Sequence, residues 1–265
     1  MNPTIRETDG IVLDTREHGE ADLIITLFCK DGGRSTAIAK GARKSLRRFV
    51  NKLEIYSFLH VTLRQRNPNS MPILEEAELH AGFIRLRKDI QRYTAAAVIR
   101  EFTLLATREG EADDRCYALL LWAFHHLDKD VSHLRVVMLF LLRFHDYIGY
   151  RPELNSCFHC GDSTDPRKVF GFSTVYGGLV CSTCAATAGR SGIKLSAQAI
   201  TTLQKAQDID LKELYRLQIP EPQLYEALNI LHRYGKHVLG REIISWAMLR
   251  ATLQPRIIDW EAQRR

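Results

Sequence analysis

The sequence predicts a multidomain α+β protein, in which an N-terminal five-stranded OB-fold barrel precedes a mainly α-helical C-terminal domain with an inserted four-cysteine zinc module. Three observations predict this class. Hydrophobic residues alternate over residues 1–81, they follow a helical period over most of residues 82–265, and two C-x2-C pairs lie within residues 155–190. The 265 residues are 45% hydrophobic and 26% charged, which is typical of a globular chain with two modest domains.

The N-terminal domain contains five short candidate strands, at residues 8–15, 23–28, 34–40, 55–64 and 72–79. A turn signal, KDGG at residues 30–33, separates the second strand from the third. In the fourth strand Leu59 and Val61 face one side, whereas Phe58 and His60 face the other. Five such strands in about 80 residues, with no long helix among them, favour a small barrel of the OB type.

The C-terminal domain contains helical patterns over residues 95–106, 117–124, 134–148, 196–207 and 222–253. Asp113 or Asp114 is expected to cap the second helix, and Ser132 the third. The third helix is apolar almost all round, which predicts a central position in a bundle. A break in the last pattern is expected at Gly235 or Gly240.

The most specific motif consists of Cys157, Cys160, Cys181 and Cys184, two C-x2-C pairs separated by 20 residues. Four thiolates at this spacing suit tetrahedral Zn²⁺, and a full set of protein ligands predicts a structural ion rather than one that activates water. Three alternatives are reduced cysteines in a small core, an iron–sulfur cluster, and replacement of one sulfur by His159. Cys29 and Cys116 lie in apolar sequence and are expected in the core.

The formal net charge is +6, and the N-terminal domain gathers its positive charge into one segment. Residues 32–53 contain no acidic residue and these basic ones: Arg34, Lys40, Arg43, Lys44, Arg47, Arg48 and Lys52. Such a stripe predicts contact with nucleic-acid phosphates. The alternative is a solvated loop that is basic by chance. A second candidate anion-binding face lies on a C-terminal helix, and a solvated helix surface is its alternative. It consists of His232, Arg233, Lys236, His237 and Arg241.

Three aromatic residues, Phe49, Tyr56 and Phe58, are candidates for base stacking, because OB-folds commonly add aromatic platforms to a basic groove. Phe49 lies within the basic segment. The alternative for Tyr56 and Phe58 is packing against the helical domain.

Motifs of nucleotide binding and catalysis are absent from the sequence. We find no G-x-x-x-x-G-K-[ST], G-x-G-x-x-G, H-E-x-x-H or G-x-S-x-G, which favours a binding protein over an enzyme. No apolar stretch approaches the ~18 residues of a membrane span, and the N-terminus lacks the apolar core of a signal peptide. We therefore expect a cytoplasmic, nucleoid-associated protein without membrane contact.

Several segments have a distinctive order along the chain. They are residues 18–28 (HGEADLIITLF), 40–49 (KGARKSLRRF), 148–154 (IGYRPEL), the first cysteine pair, 172–173 (FS), 177–178 (GG), the second cysteine pair and 231–240 (LHRYGKHVLG). In this order they resemble the bacterial RecO family of recombination mediators, which are DNA repair proteins, over most of the chain.

The resemblance implies an OB-fold, a helical domain and a zinc module. It also implies binding of single- and double-stranded DNA, annealing of complementary strands and, with the partner RecR, loading of RecA onto strands coated by single-strand-binding protein (SSB). The acidic C-terminal tail of SSB is a further implied partner. We expect its groove near four basic residues, Arg85, Arg87, Lys88 and Arg92.

Three rival classes remain open from the sequence. An OB-fold with a zinc ribbon also suits an RNA-binding or transcription-associated factor. A zinc hydrolase needs an open coordination position, which four cysteines deny. A purely structural adaptor would show no salt-sensitive binding to nucleic acid.

Overall fold

The computed structural model describes residues 3–165, 167–188 and 192–253. Its N-terminal part is a closed barrel of five strands: β1 (Thr4–His18), β2 (Asp22–Cys29), β3 (Gly33–Ala39), β4 (Phe58–Gln65) and β5 (Ile73–Ala81). Around the barrel the order is β1-β2-β3-β5-β4, and β4 pairs back onto β1. All pairs are antiparallel except β3 with β5, which confirms the predicted OB-fold barrel.

Two strands differ from their predicted extents by three residues or more at one or both ends, and the other three by one or two. The first is longer than residues 8–15, because its C-terminal half pairs with β2 and its N-terminal half with β4. The fourth begins at Phe58 rather than at residue 55. Tyr56 takes a φ of 75°, and this left-handed conformation is incompatible with an extended strand.

The alternating side chains of β1 divide the molecule into two hydrophobic cores. Val12 points into the barrel, where it packs with residues such as Ile25, Leu27 and Leu59. Ile11 and Leu13 point outward and belong to the core of the helical domain. One face of the barrel is therefore buried against helices rather than exposed to solvent.

The helical domain contains α1 (Ile84–Lys88), α2 (Ile90–Ala106), α3 (Asp114–Leu127), α4 (His133–Tyr147), α6 (Ala197–Asp208), α7 (Glu221–Leu239) and α8 (Ile244–Ala251). Asp113, rather than Asp114, caps α3, and Ser132 caps α4. Residues 134 and 136–145 of α4 are buried, which confirms its central position. Gly240, with a φ of 62°, ends α7 as predicted.

Gly235, the other glycine at which a helix break was expected, does not end a helix. It lies inside α7, and a Cβ there would collide with the ring of Phe102. The glycine therefore allows close packing of α7 against α2, and it does not interrupt the helix.

The four-cysteine module contains β6 (Glu153–Cys157), β7 (Phe170–Ser173), β8 (Gly178–Cys181), α5 (Ser182–Ala188) and β9 (Ile193–Leu195), with sheet order β6-β8-β7-β9. The segment between the two cysteine pairs forms a hairpin, in which β7 pairs antiparallel with β8. Phe172 of this hairpin packs edge-on against Tyr234 of α7, with ring centroids 5.5 Å apart. The module is thus attached to the helical domain through its hairpin.

Direct hydrogen bonds join the barrel to the helical domain. Arg34 donates from Nη1 to the carbonyl oxygen of Leu104 at 2.6 Å, and Arg100 donates from Nη1 to that of Leu13 at 3.0 Å. The backbone N–H of Thr36 donates to Glu109 Oε1 at 2.8 Å. The last barrel strand ends at Ala81, where the predicted N-terminal domain ends. The outer ends of the predicted domains, at residues 1 and 265, and residues 189–190 of the predicted module lie outside the described residues.

Candidate metal centre and nucleic-acid surface

The four cysteines of the two C-x2-C pairs converge on one point. Cys157 ends β6, Cys181 ends β8, and Cys184 lies in the first turn of α5. Their sulfurs and that of Cys160 all lie within 4.8 Å of one another, and Cys160 Sγ is 3.8 Å from Cys181 Sγ. Tetrahedral coordination with metal–sulfur bonds of about 2.3 Å places neighbouring sulfurs about 3.8 Å apart, so the four cysteines fit one metal ion.

Backbone N–H groups donate to two of these sulfurs, and at Cys157 they favour the thiolate form. The N–H of Cys181 donates to Cys157 Sγ at 3.4 Å, and that of Cys184 donates to Cys181 Sγ at 3.5 Å. Burial raises the pKa of Cys157, but hydrogen bonds from the N–H groups of Cys160, Cys181 and His159 outweigh it and lower that pKa to about 6. A thiolate is the form that binds a metal.

His159 does not join this ligand set. Its ring packs edge-on against Tyr176, with centroids 4.8 Å apart, and the convergent group contains the four cysteines only. Phe158 stacks on Tyr176 at 4.9 Å. The alternative in which a histidine replaces a sulfur is therefore not supported, whereas Cys29 and Cys116 are buried as expected.

Residues 40–53 of the basic segment lie in the loop between β3 and β4, whereas residues 33–39 form β3. Residues that enter the barrel core fix this loop. Ala42, Phe49 and Leu53 are buried among the residues of that core. Two hydrogen bonds also fix the start of the loop to residues just before and at the start of β2. The N–H of Gly41 donates to Asp22 Oδ1 at 2.7 Å, and the N–H of Arg43 donates to the Ala21 carbonyl at 2.9 Å. These anchors hold the intervening basic residues on the outside.

Five of the seven predicted phosphate ligands are exposed on this loop: Lys40, Arg43, Lys44, Arg47 and Arg48. Arg43 has one acidic neighbour, Glu17, at 3.1 Å, and both side chains are exposed. Within residues 3–165, 167–188 and 192–253, no carboxylate lies within 4.0 Å of the other four cations. Their charge is therefore available to an anion from solution.

The remaining two cations, Arg34 and Lys52, are half-buried and engaged within the protein. Arg34 binds the Leu104 carbonyl at the end of α2, and Lys52 donates from Nζ to the Ala77 carbonyl of β5 at 2.8 Å. We assign both to intramolecular contacts and remove them from the predicted phosphate-binding set. Sequence alone could not separate them from the exposed five, because their partners lie 70 and 25 positions away.

The structure corrects two of the three predicted stacking residues. Phe49 is 4% exposed and lies in the barrel core, and Tyr56 is 1% exposed, so neither ring offers a free face to a base. Tyr56 packs edge-on against Phe124 and Tyr93 of the helical domain, with centroids 5.1 and 5.6 Å away, which confirms the alternative interpretation. Phe58 is half-buried, packs on His80 at 4.9 Å and stays a prediction.

Sequence reasoning overlooked Leu46, which stands among the loop cations and is 91% exposed. An isolated leucine in a run of basic residues was the available signal. An exposed aliphatic side chain beside phosphate ligands is suited to contact with a sugar or the face of a base.

The four basic residues near the predicted SSB-tail groove are mostly engaged in the fold. Arg85 pairs with Asp130 at 2.6 Å, Arg87 donates to Ser57 Oγ at 2.8 Å, and Arg92 donates to the Leu127 carbonyl at 2.8 Å. Only Lys88 is an exposed cation with no recorded partner within the described residues. The expected location of the groove is not supported.

A basic cleft lies instead between α7 and α8, with a volume of about 790 Å³. Ile243 and Trp246 form apolar walls, and the ring of Trp246 stacks on His232 with centroids 4.1 Å apart. The cleft is also lined by Arg233, Lys236, His237 and Arg250, with Glu242 as an acidic member. The second candidate anion-binding face is therefore one side of a cleft, not a flat helix surface.

Comparison with known proteins decides the family. The family models "Recombination protein O N terminal" and "Recombination protein O C terminal" match residues 1–83 and 87–247. The chain belongs to the RecO family. The DNA repair protein RecO of Syntrophobacter fumaroxidans is 32% identical over 210 residues, which are 79% of this chain and 83% of that protein. The RecO proteins of Syntrophus aciditrophicus and Alkaliphilus metalliredigens are 28% and 30% identical, over 92% and 86% of this chain and 94% and 91% of theirs.

The RecO resemblance stated from sequence is thus confirmed, and with it membership in a family of DNA repair proteins. Among the helices of the described residues, none is both long and apolar enough to cross a membrane.

Proposed function

We propose that this RecO-family chain is a non-enzymatic DNA-binding recombination mediator, whose loop between β3 and β4 grips the phosphates of single- and double-stranded DNA. The observation that carries the proposal is the arrangement of that loop. Phe49 and Leu53 anchor it in the barrel core, and five cations stand outside. Because the anchors fix the loop backbone, little chain entropy is lost when the cations meet a strand.

Annealing would follow from charge neutralisation. Two complementary strands repel each other through their phosphates, and Lys and Arg that neutralise those phosphates release condensed counterions. The sequence holds no nucleotide-binding motif, so the proposed annealing draws on binding free energy and needs no ATP. Leu46 would cover a sugar or base without selecting a sequence.

The metal of the four cysteines is Zn²⁺ in this proposal, and its role is structural. The sulfurs would tie the ends of β6 and β8 to the first turn of α5, and four protein ligands leave no position for water or substrate. The chain itself supplies backbone N–H groups that donate hydrogen bonds to the sulfurs of Cys157 and Cys181.

The proposed partners are RecR, with which RecA would be loaded onto SSB-coated strands in the nucleoid, and the C-terminal tail of SSB. The tail is acidic and apolar, and the cleft between α7 and α8 combines complementary features. Arg233 and Arg250 supply positive charge, and Trp246 and Ile243 supply apolar surface. Separate surfaces for the tail and for DNA would let one molecule hold SSB while it contacts the strand.

A direct test compares annealing of complementary strands with and without added SSB, together with affinity for single-stranded DNA and for RNA of matched sequence. We expect annealing of both bare and SSB-coated strands, without a requirement for ATP. The affinity for single-stranded DNA should equal or exceed the affinity for RNA of matched sequence. Strong preference for RNA without DNA annealing would instead favour the zinc-ribbon RNA-binding factor. Absence of salt-sensitive binding to either would favour a structural adaptor.

A further inference from the structure

Three metal-ligating side chains meet on the outer surface of the barrel, remote in sequence from the cysteines. Asp9, His60 and His80 come from the neighbouring strands β1, β4 and β5. Asp9 stands directly opposite His60 in the register of β1 with β4. An irregularity in the pairing of β4 with β5, between Phe58 and Leu59, accompanies the approach of His80.

The distances between their ligand atoms are those of a metal site. Asp9 Oδ1 lies 2.8 Å from His60 Nδ1 and 3.4 Å from His80 Nε2, and all three atoms lie within 4.8 Å of one another. Ligands at about 2.0 to 2.2 Å from a tetrahedral ion are roughly 3.3 to 3.6 Å apart. Small side-chain rotations would therefore be enough to place one ion between them.

The surroundings leave these ligands available. Within the described residues, no Arg or Lys lies within 4.0 Å of the Asp9 carboxylate, whose basic neighbours at that distance are the two histidines. The side chains are 35% (Asp9), 42% (His60) and 40% (His80) exposed, which allows entry from solution and leaves a coordination position for water. The ring of Phe58 packs on His80 at 4.9 Å and limits its rotation.

The donor set selects the class of ion. Two imidazole nitrogens and one carboxylate suit Zn²⁺, Ni²⁺, Co²⁺ or Cu²⁺, whereas Mg²⁺ and Ca²⁺ prefer oxygen ligands only. We propose that Asp9, His60 and His80 form a second, solvent-accessible binding site for a divalent transition-metal cation, separate from the four-cysteine centre. An ion there would join β1, β4 and β5, which are already paired through backbone hydrogen bonds.

The test uses the untagged full chain, with the metal content of the four-cysteine centre first measured by elemental analysis. Zn²⁺ is then titrated by calorimetry into this protein and into His60→Ala, His80→Ala and Asp9→Asn. We expect one further equivalent to bind the parent, with the further binding lost in either histidine variant and weakened at least tenfold in Asp9→Asn.

Two controls keep this test independent of folding. His125→Ala removes an exposed histidine of α3 outside the cluster and should bind like the parent. The unfolding midpoints of all variants without added Zn²⁺ should stay close to that of the parent, because the three side chains are each more than a third exposed and such surface pairs contribute little to stability. Failure of the parent to take a further equivalent would overturn the proposal, and so would parent-like binding by both His60→Ala and His80→Ala.

Discussion

The guanidinium carbon of Arg48 lies 4.4 Å from the centroid of the Phe49 ring. Phe49 is buried in the barrel core, while Arg48 crosses its ring on the outside and donates from Nη2 to the Lys40 carbonyl at 2.6 Å. The buried ring of Phe49 thus helps to fix the position of the exposed Arg48 guanidinium. This relationship links the stability of the barrel to the geometry of the basic loop.

Removal of four exposed loop cations should weaken DNA binding for every sequence alike. In the quadruple variant Arg43→Ala, Lys44→Ala, Arg47→Ala, Arg48→Ala, each lost contact with a single-strand phosphate should make the negative slope of log K against log salt shallower by ~0.7. The slope is measured by fluorescence anisotropy over a salt series.

The matched control for this variant removes four exposed lysines elsewhere, Lys129, Lys194, Lys205 and Lys212, and so makes the same change in net charge. It should keep the parent slope. Equal slopes for both quadruple variants would place the DNA site away from the loop.

Phe49→Ala should lower the free energy of unfolding by roughly 3 to 5 kcal/mol, because it leaves a cavity in the barrel core. It should also weaken DNA binding, since the loop loses its anchor. Phe49→Leu should restore most of both properties. If Phe49→Ala kept the parent stability in urea unfolding and lost only DNA affinity, the ring would be a base-stacking platform after all.

Cys157→Ser should abolish metal binding at the four-cysteine centre and destabilise the four-cysteine module, because metal coordination contributes folding free energy. Elemental analysis should find one zinc fewer per chain than in the parent. Cys116→Ala changes a buried cysteine outside the cluster and should retain the metal. A parent protein without zinc at this centre would contradict the proposed cofactor.

Arg34→Ala should cost about 1 to 3 kcal/mol of stability, because the Leu104 carbonyl at the end of α2 loses a charged hydrogen-bond donor. Its DNA-binding slope against salt should match that of the parent once the folded fraction is taken into account. A reduced slope in the folded protein would return Arg34 to the phosphate-binding set.

Arg233→Ala with Arg250→Ala should weaken binding of a peptide with the SSB C-terminal sequence, as measured by anisotropy, because the cleft between α7 and α8 loses two cations. Arg85→Ala with Lys88→Ala alters the location expected from sequence and should leave the affinity unchanged. The reverse pattern would move the tail to that first location.

Features that depend on local pattern could be predicted from the sequence. The alternation of residues along β4 predicted that Leu59 and Phe58 lie on opposite faces of the strand. The C-x2-C spacing predicted that Cys157 converges with the other three cysteines. Features that depend on distant contacts could not. The left-handed turn at Tyr56 and the engagement of Lys52 with Ala77 become visible only when β1, β4 and β5 are assembled.

The same limit explains why the cluster of Asp9, His60 and His80 was not predicted. Its members are separated by 51 and 71 positions from Asp9, and they meet through barrel closure and strand register. No short-range spacing rule describes such a set. Leu46, by contrast, could have been noticed as a large aliphatic residue between the closely spaced cations Lys44 and Arg47.

In the proposed mechanism, the anchored, cationic loop on the barrel promotes strand pairing by neutralising phosphates. This mechanism is tested most directly by the rate of complementary-strand annealing, without ATP, in the parent, the loop quadruple variant and the lysine control. We predict rapid annealing by the parent and the control and a rate close to the spontaneous one for the loop variant. Annealing by a folded loop variant at the parent rate would contradict this mechanism.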